Sequence, residues 1–182
     1  GEGEIIFCGC IFLGETGLKL SSIGSKHLNF SPITEIHSFK HRPCEFHGEV
    51  FDLNVKSALG STISFPRASF QTDYVFMEFS DEAHLARVLF FFTEWGSKFV
   101  EIKGMQIDSG EAPLIQFGDA DFERVGKLRF QDIGTTHGNI GFDYVTFPKH
   151  GHTSFSFSDL GKGSVTFIQA HCANSITFFQ GP

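Results

Sequence analysis

The sequence predicts an all-β protein, an antiparallel β-sandwich or jelly-roll with little helix, and three observations carry that expectation. Apolar and polar residues alternate over stretches of five to ten residues along most of the chain, the period of half-buried strands. Gly-rich punctuation separates these stretches at roughly 8- to 12-residue spacing, as in sandwiches and barrels. The 182 residues include 24 Phe against 2 Tyr and 1 Trp, and a large flat ring suits the gap of about 10 Å between two packed sheets.

The elements follow in order. Residues 4–13 and 18–23 read as strands around a turn at 14–17, with 1–23 either an N-terminal arm or added strands on a single domain spanning 1–182. Residues 24–48 are irregular, punctuated by Pro43 and Gly48. From Val50 the alternation is clear: Phe51, Leu53 and Val55 share one face, with Asp52, Asn54 and Lys56 on the other. In TDYVFMEF, Tyr74, Phe76 and Glu78 oppose Val75, Met77 and Phe79. Ser80 or Asp81 could cap a short helical turn over residues 80–86.

ARVLFFFTEW is apolar on both faces, as a central strand would be. Together with KFVEIKGMQI across the Gly96-Ser97 turn, it predicts a hairpin over residues 87–107. Towards the end, Phe155 and Phe157 oppose Ser154, Ser156 and Ser158; Val165 and Phe167 oppose Ser164 and Thr166; Ile176 and Phe178 oppose Ser175 and Thr177. These strands read as a meander with one hydroxyl-rich face. The recurring VTF, FSF, VTF and ITFF endings read as strand chemistry rather than as a long-period repeat.

The series LIQFGDADFERVGKLRF, a Gly-rich turn and NIGFDYVTF, preceded by ARVLFFFTEWGSKFVEIKG, resembles the last strands of galactose-binding-like β-sandwiches, a group that includes carbohydrate-binding modules. The resemblance is confined to about residues 87–147. It implies a non-catalytic domain that binds glycan or another surface ligand, and it implies a structural calcium near Asp143 in the closing strand.

Charge narrows the partners. A net charge of −7 with 14 Lys and Arg offers no basic stripe for phosphates, which argues against nucleic acid and against an anionic membrane surface. The apolar stretch at residues 5–13 is too short to span a bilayer. A chain opening on Gly1 reads as a processed product and leads to an extracellular or secreted setting. Cys8, Cys10, Cys44 and Cys172 permit three complete pairings, or four buried thiols.

Several groups carry candidate chemistry. His37, His41, Cys44 and His47 are close enough in sequence to wrap a zinc ion, although the spacing matches no standard finger. His150, His152, His171 and Cys172 form a looser set. Calcium suits Asp119, Asp121 and Asp143, with Asp108, Glu111 and Asp132 beside other predicted turns, because hard carboxylate oxygens supply its ligands. Each acid equally suits a solvated turn.

Trp95 and Tyr74 are the candidates to stack on a sugar ring. No G-x-S-x-G, H-E-x-x-H, P-loop or G-x-G-x-x-G motif is present, so no enzyme is expected. The leading expectation is a non-enzymatic extracellular glycan-binding module. The alternative is a structural subunit that assembles with copies of itself by strand exchange or edge pairing.

Overall fold

A computed structural model describes residues 5–20, 27–31, 33–34, 41–109 and 113–180. The alternating segments do form strands, and the described residues contain no helix. Their pairing overturns the sandwich: every ladder is parallel except the short one between Ile33–Thr34 and His41–Arg42. The chain winds into a β-solenoid of about six turns. It is therefore neither a jelly roll nor a galactose-binding-like domain.

Two parallel sheets make the faces of the coil. One stacks Ile5–Cys8, His27–Ser31, Ala58–Ser64, Ala83–Phe91, Leu114–Gly118, Asn139–Gly141 and Ser164–Thr166. The other, called here the long face, lays Ile11–Leu13 and Thr16–Leu20 against Glu45–Val55. It continues through Ser69–Phe79, Phe99–Lys103, Lys127–Thr135, His152–Phe157 and Ile176–Gln180. Residues 5–20 are thus the first rungs of both faces.

The repeat missed in the sequence has a period of about 25 residues, seen where Thr62 pairs with Arg87, Leu114 with Asn139 and Lys127 with His152. In a parallel in-register coil each residue sits above its counterpart at the rung spacing of about 4.8 Å. Like side chains therefore form columns. Phe7, Phe30, Phe65, Phe90, Phe117, Phe142 and Phe167 make one ladder, with ring centroids 4.6–5.2 Å apart and planes within 11° of parallel. Phe12, Phe46, Phe70, Trp95 and Phe122 make a second. Phe130, Phe155 and Phe178 make a third, continuing a column of Leu53, Met77 and Ile102.

These ladders explain the phenylalanine content, since each stacked pair adds about 0.5–1.5 kcal/mol beyond burial. The first two ladders meet at a corner written as a hexad: FCGCIF, FPRASF, FFFTEW, FGDADF, FDYVTF and FIQAHC. Its third residue turns the chain in the left-handed region: Gly9, Arg67, Phe92, Asp119, Tyr144 and Gln169 have φ between 51° and 59°. Left-handed backbone is sterically expensive for non-glycine residues, and Arg67, Phe92, Asp119, Tyr144 and Gln169 hold it in five successive coils because the ladders on either side fix the corner.

Three local expectations change with the topology. Residues 80–86 are not a helix start: the Ser80 hydroxyl donates to the Lys56 carbonyl and accepts the Glu82 N–H, closing a turn into Ala83–Phe91. Residues 87–107 are not a hairpin, because Ala83–Phe91 and Phe99–Lys103 lie on different faces. The Ser-rich closing strands are rungs of the coil rather than an antiparallel meander. None of the four cysteines forms a disulfide, and Cys10 lies one rung from the buried Cys44. No helix among the described residues is long and apolar enough to cross a membrane.

Candidate functional site on the long face

On the long face, inward residues fill the core and outward residues form a flat grid. Neighbours within a strand are about 6.6 Å apart, and rungs are about 4.8 Å apart. One outward column runs Val50, Tyr74, Phe99, Lys127, His152; the next runs Asp52, Phe76, Glu101, Arg129, Ser154, Thr177. A third begins with Lys19, Asn54, Glu78, Lys103 and Gln131.

The grid brings three outward aromatic rings together. Tyr74, 38% exposed, stacks parallel to Phe76 at 6.3 Å, and Phe76 meets Phe99 at 5.8 Å. Large apolar rings on an outward strand face have no core to fill, so a cluster of them marks a contact surface. Beyond Phe99 the stripe becomes cationic: Lys127 Nζ lies 5.7 Å and Arg129 Cζ 5.9 Å from the Phe99 ring centre. Both contacts fall within cation–π range.

Charges along the columns are largely paired rung to rung. Arg129 Nη1 donates to Glu101 at 2.9 Å, Lys103 sits 3.7 Å from Glu78, and Asn54 donates to Glu78 at 3.1 Å. At the edge, Lys98 donates to Asp73 at 2.7 Å, and that carboxylate holds the ammonium pKa above its usual value. A depression of about 460 Å³ opens next to the aromatic stripe, and Lys127, Arg129, Gln131, Asp132, His152, Ser154, Ser156 and Phe179 are among the residues that line it. A second depression, of about 540 Å³, lies at the corner among Glu45, His47, Arg67, Gln71, Phe92 and Glu94. Arg67 there covers the Phe92 ring at 5.0 Å.

The residues singled out from sequence divide among these places. Tyr74 heads the outward stripe. Trp95 does not join it: only 1% exposed, it is stacked between Phe70 at 4.1 Å and Phe122 at 5.0 Å, and its indole N–H donates to Thr93. Its ring offers no free face to a sugar. For the zinc set, His37 and the His41 side chain lie outside the described residues. Cys44 is buried with its thiol 3.2 Å from the Phe7 carbonyl, whereas His47 faces outward, 2.8 Å from Glu45.

The three acids of the calcium set occupy one corner without converging on a common point. The Asp119 N–H donates to the Asp143 carbonyl, Asp121 accepts the Glu123 N–H, and Asp143 Oδ2 accepts from Gln116 at 2.8 Å. Asp143 Oδ1 is buried with no hydrogen-bond partner among the described residues. Among the described residues, no group of three His, Cys, Asp or Glu side chains is placed to hold a metal ion.

Phe76, Phe99, Lys127 and Arg129 were missed by the sequence reading, and His152 entered it only in a loose metal-binding set. The signal for them was there: Tyr74 and Phe99, like Lys127 and His152, stand one coil period apart, which places each pair in one column. Compared with known proteins, the chain matches no family model, no curated protein and no solved structure.

Proposed function

We propose that this chain is a non-enzymatic binding module that holds a glycan along the outer surface of its long face. The observation that carries the reading is the stripe of Tyr74, Phe76 and Phe99, three rings on a flat, solvent-facing grid. Sugar rings present apolar C–H faces ringed by hydroxyls. Aromatic faces take the former, while the flanking Glu78, Glu101, Lys103 and Asn54 offer donors and acceptors to the latter. The solenoid's part is pre-organisation: its strands fix the grid before any ligand arrives, so little entropy is lost on binding.

The test is retention of the protein in native gels cast with a panel of soluble polysaccharides. At least one polymer should retard the wild type, and Tyr74→Ala and Phe99→Ala should each weaken that retardation by about 5- to 30-fold, the effect of losing an aromatic anchor. No retardation by any polymer, or retardation unchanged in both variants, would overturn the reading.

A second reading, assembly of copies by edge pairing, draws on Ile176–Gln180, the final rung among the described residues. Phe178 is 56% exposed although its column is buried elsewhere, and Phe167 and Ile168 are exposed beside it. A rung from a second copy would continue these columns Phe on Phe. Sedimentation velocity across a hundredfold range of concentration tests this: Phe178→Asp should abolish any association, and a monomer throughout would remove the reading.

A further inference from the structure

We infer that the ligand of the long face is an acidic glycan, a carboxylated or sulfated polysaccharide whose anionic groups seat in the depression formed by Lys127, Arg129 and His152. The inference rests on the glycan reading above and names the substrate class for that site.

The protein as a whole is acidic, with net charge −7. Yet at the foot of the aromatic stripe the outward grid carries two cations on one rung, Lys127 and Arg129, with His152 and Ser154 as their neighbours on the next. Lys127 lies over the face of Phe99 and, among the described residues, has no carboxylate partner, unlike Lys98, Lys103 and Lys149, which all face acids. Arg129 gives one nitrogen to Glu101, and its guanidinium has further N–H groups.

Ser154, Ser156 and Gln131 add neutral donors around the same hollow. The opposing charge is Asp132, whose carboxylate is engaged by Gln131 at 3.2 Å. The arrangement suits an oxyanion: cations and hydroxyl donors converge on one depression, and anion recognition by such charge-assisted bonds is strong and directional. The geometry is also continuous with the stripe. The cations flank Phe99 itself, so a sugar stacked on that ring has its substituents beside Lys127 and Arg129.

The experiment compares polygalacturonate, dextran sulfate and neutral dextran, titrated calorimetrically into the wild type, Lys127→Gln/His152→Gln, Tyr74→Ala and the remote control Arg67→Gln, at low and moderate salt. One or both acidic polymers should bind at least tenfold more tightly than dextran, and the polymer that binds identifies carboxylate or sulfate as the group recognised. The Lys127→Gln/His152→Gln variant should lose about tenfold on the acidic polymer, with a weaker salt dependence, while Arg67→Gln matches the wild type. Circular dichroism confirms that each variant is folded.

Dextran binding as tight as that of the acidic polymers, with Tyr74→Ala impaired, would overturn the acidic class and leave the glycan reading standing. Acidic polymer binding that survives Lys127→Gln/His152→Gln would likewise overturn it. Absence of binding to all three would overturn both.

Discussion

Phe117→Ala is the substitution that most severely tests the aromatic ladders. Phe117 is 1% exposed and stacked between Phe90 at 4.7 Å and Phe142 at 5.1 Å, with Phe130 edge-on at 5.2 Å. Removing a buried phenylalanine ring costs about 3–5 kcal/mol, the larger values applying where the surroundings cannot close over the cavity. Here they cannot, because backbone hydrogen bonds fix the rung spacing and hold Phe90 and Phe142 apart. The expected cost is therefore about 4–5 kcal/mol, a large share of the roughly 5–15 kcal/mol available to a folded domain.

Guanidinium unfolding measures it, followed by far-UV circular dichroism and by the fluorescence of Trp95, the single tryptophan, which sits in the neighbouring ladder. Phe178→Ala is the matched control. That ring belongs to an equivalent ladder but is more than half exposed on the last rung, so its loss should cost no more than about 1 kcal/mol. A Phe117→Ala cost below about 1 kcal/mol, or equal costs for the two variants, would refute the claim that in-register stacking holds the core.

Three further expectations follow from the same architecture. Thr62 and Arg87 face outward on adjacent rungs, so Thr62→Cys/Arg87→Cys should form a disulfide under mild oxidation in a background lacking Cys8 and Cys172. Thr62→Cys/Leu114→Cys, two rungs apart, should stay reduced; mass spectrometry of the peptides reads both. Gly104 adopts φ +72°, and a Cβ there would lie 2.1 Å from the Phe79 carbonyl oxygen, so Gly104→Ala should lower stability by about 2 kcal/mol or more. Gly17→Ala, where a Cβ meets nothing within 4 Å, should change the melting temperature little.

Burial pushes the Cys44 thiol pKa up. The folded protein thus keeps a proton that the unfolded chain releases near the ordinary thiol value of about 8.5. The contribution to stability is whole below that pH and is lost as pH rises through the elevated folded value. Urea midpoints measured from pH 7 to 10 should fall on the alkaline side, less steeply in Cys44→Ala, and Cys44 should be the last thiol to react with a disulfide reagent.

Strand content and side-chain facing were legible in the sequence because both are local. The alternation of Phe51, Leu53 and Val55 with Asp52, Asn54 and Lys56 says which residues point inward whatever strand lies alongside. Partner and direction are not local: alternation is the same in a parallel coil and an antiparallel sandwich, and only the 25-residue recurrence distinguishes them. That recurrence was visible in the hexads FPRASF, FFFTEW, FGDADF and FDYVTF. It was obscured because Trp95 and Cys172 replace the final Phe and because the first turn is longer, with Glu45 above Ser69 but Ile11 ten residues further from its partner than that spacing.

The candidate site shows the same division. Tyr74 is outward by its alternation, so its exposure was readable. Trp95 was chosen for residue type, and type alone could not reveal that its hexad position falls in a ladder. Lys127 and His152 looked unrelated until the period aligned them.

Hydroxyl-radical footprinting of the protein saturated with its tightest-binding polysaccharide tests the central claim most directly. Tyr74, Phe76, Phe99 and His152 should be protected together, while exposed Phe92 at the hexad corner and the buried Trp95 remain unchanged. Protection centred on Phe92 and His47, with Tyr74, Phe76 and Phe99 as reactive as in the free protein, would place the ligand in the corner depression and contradict the account.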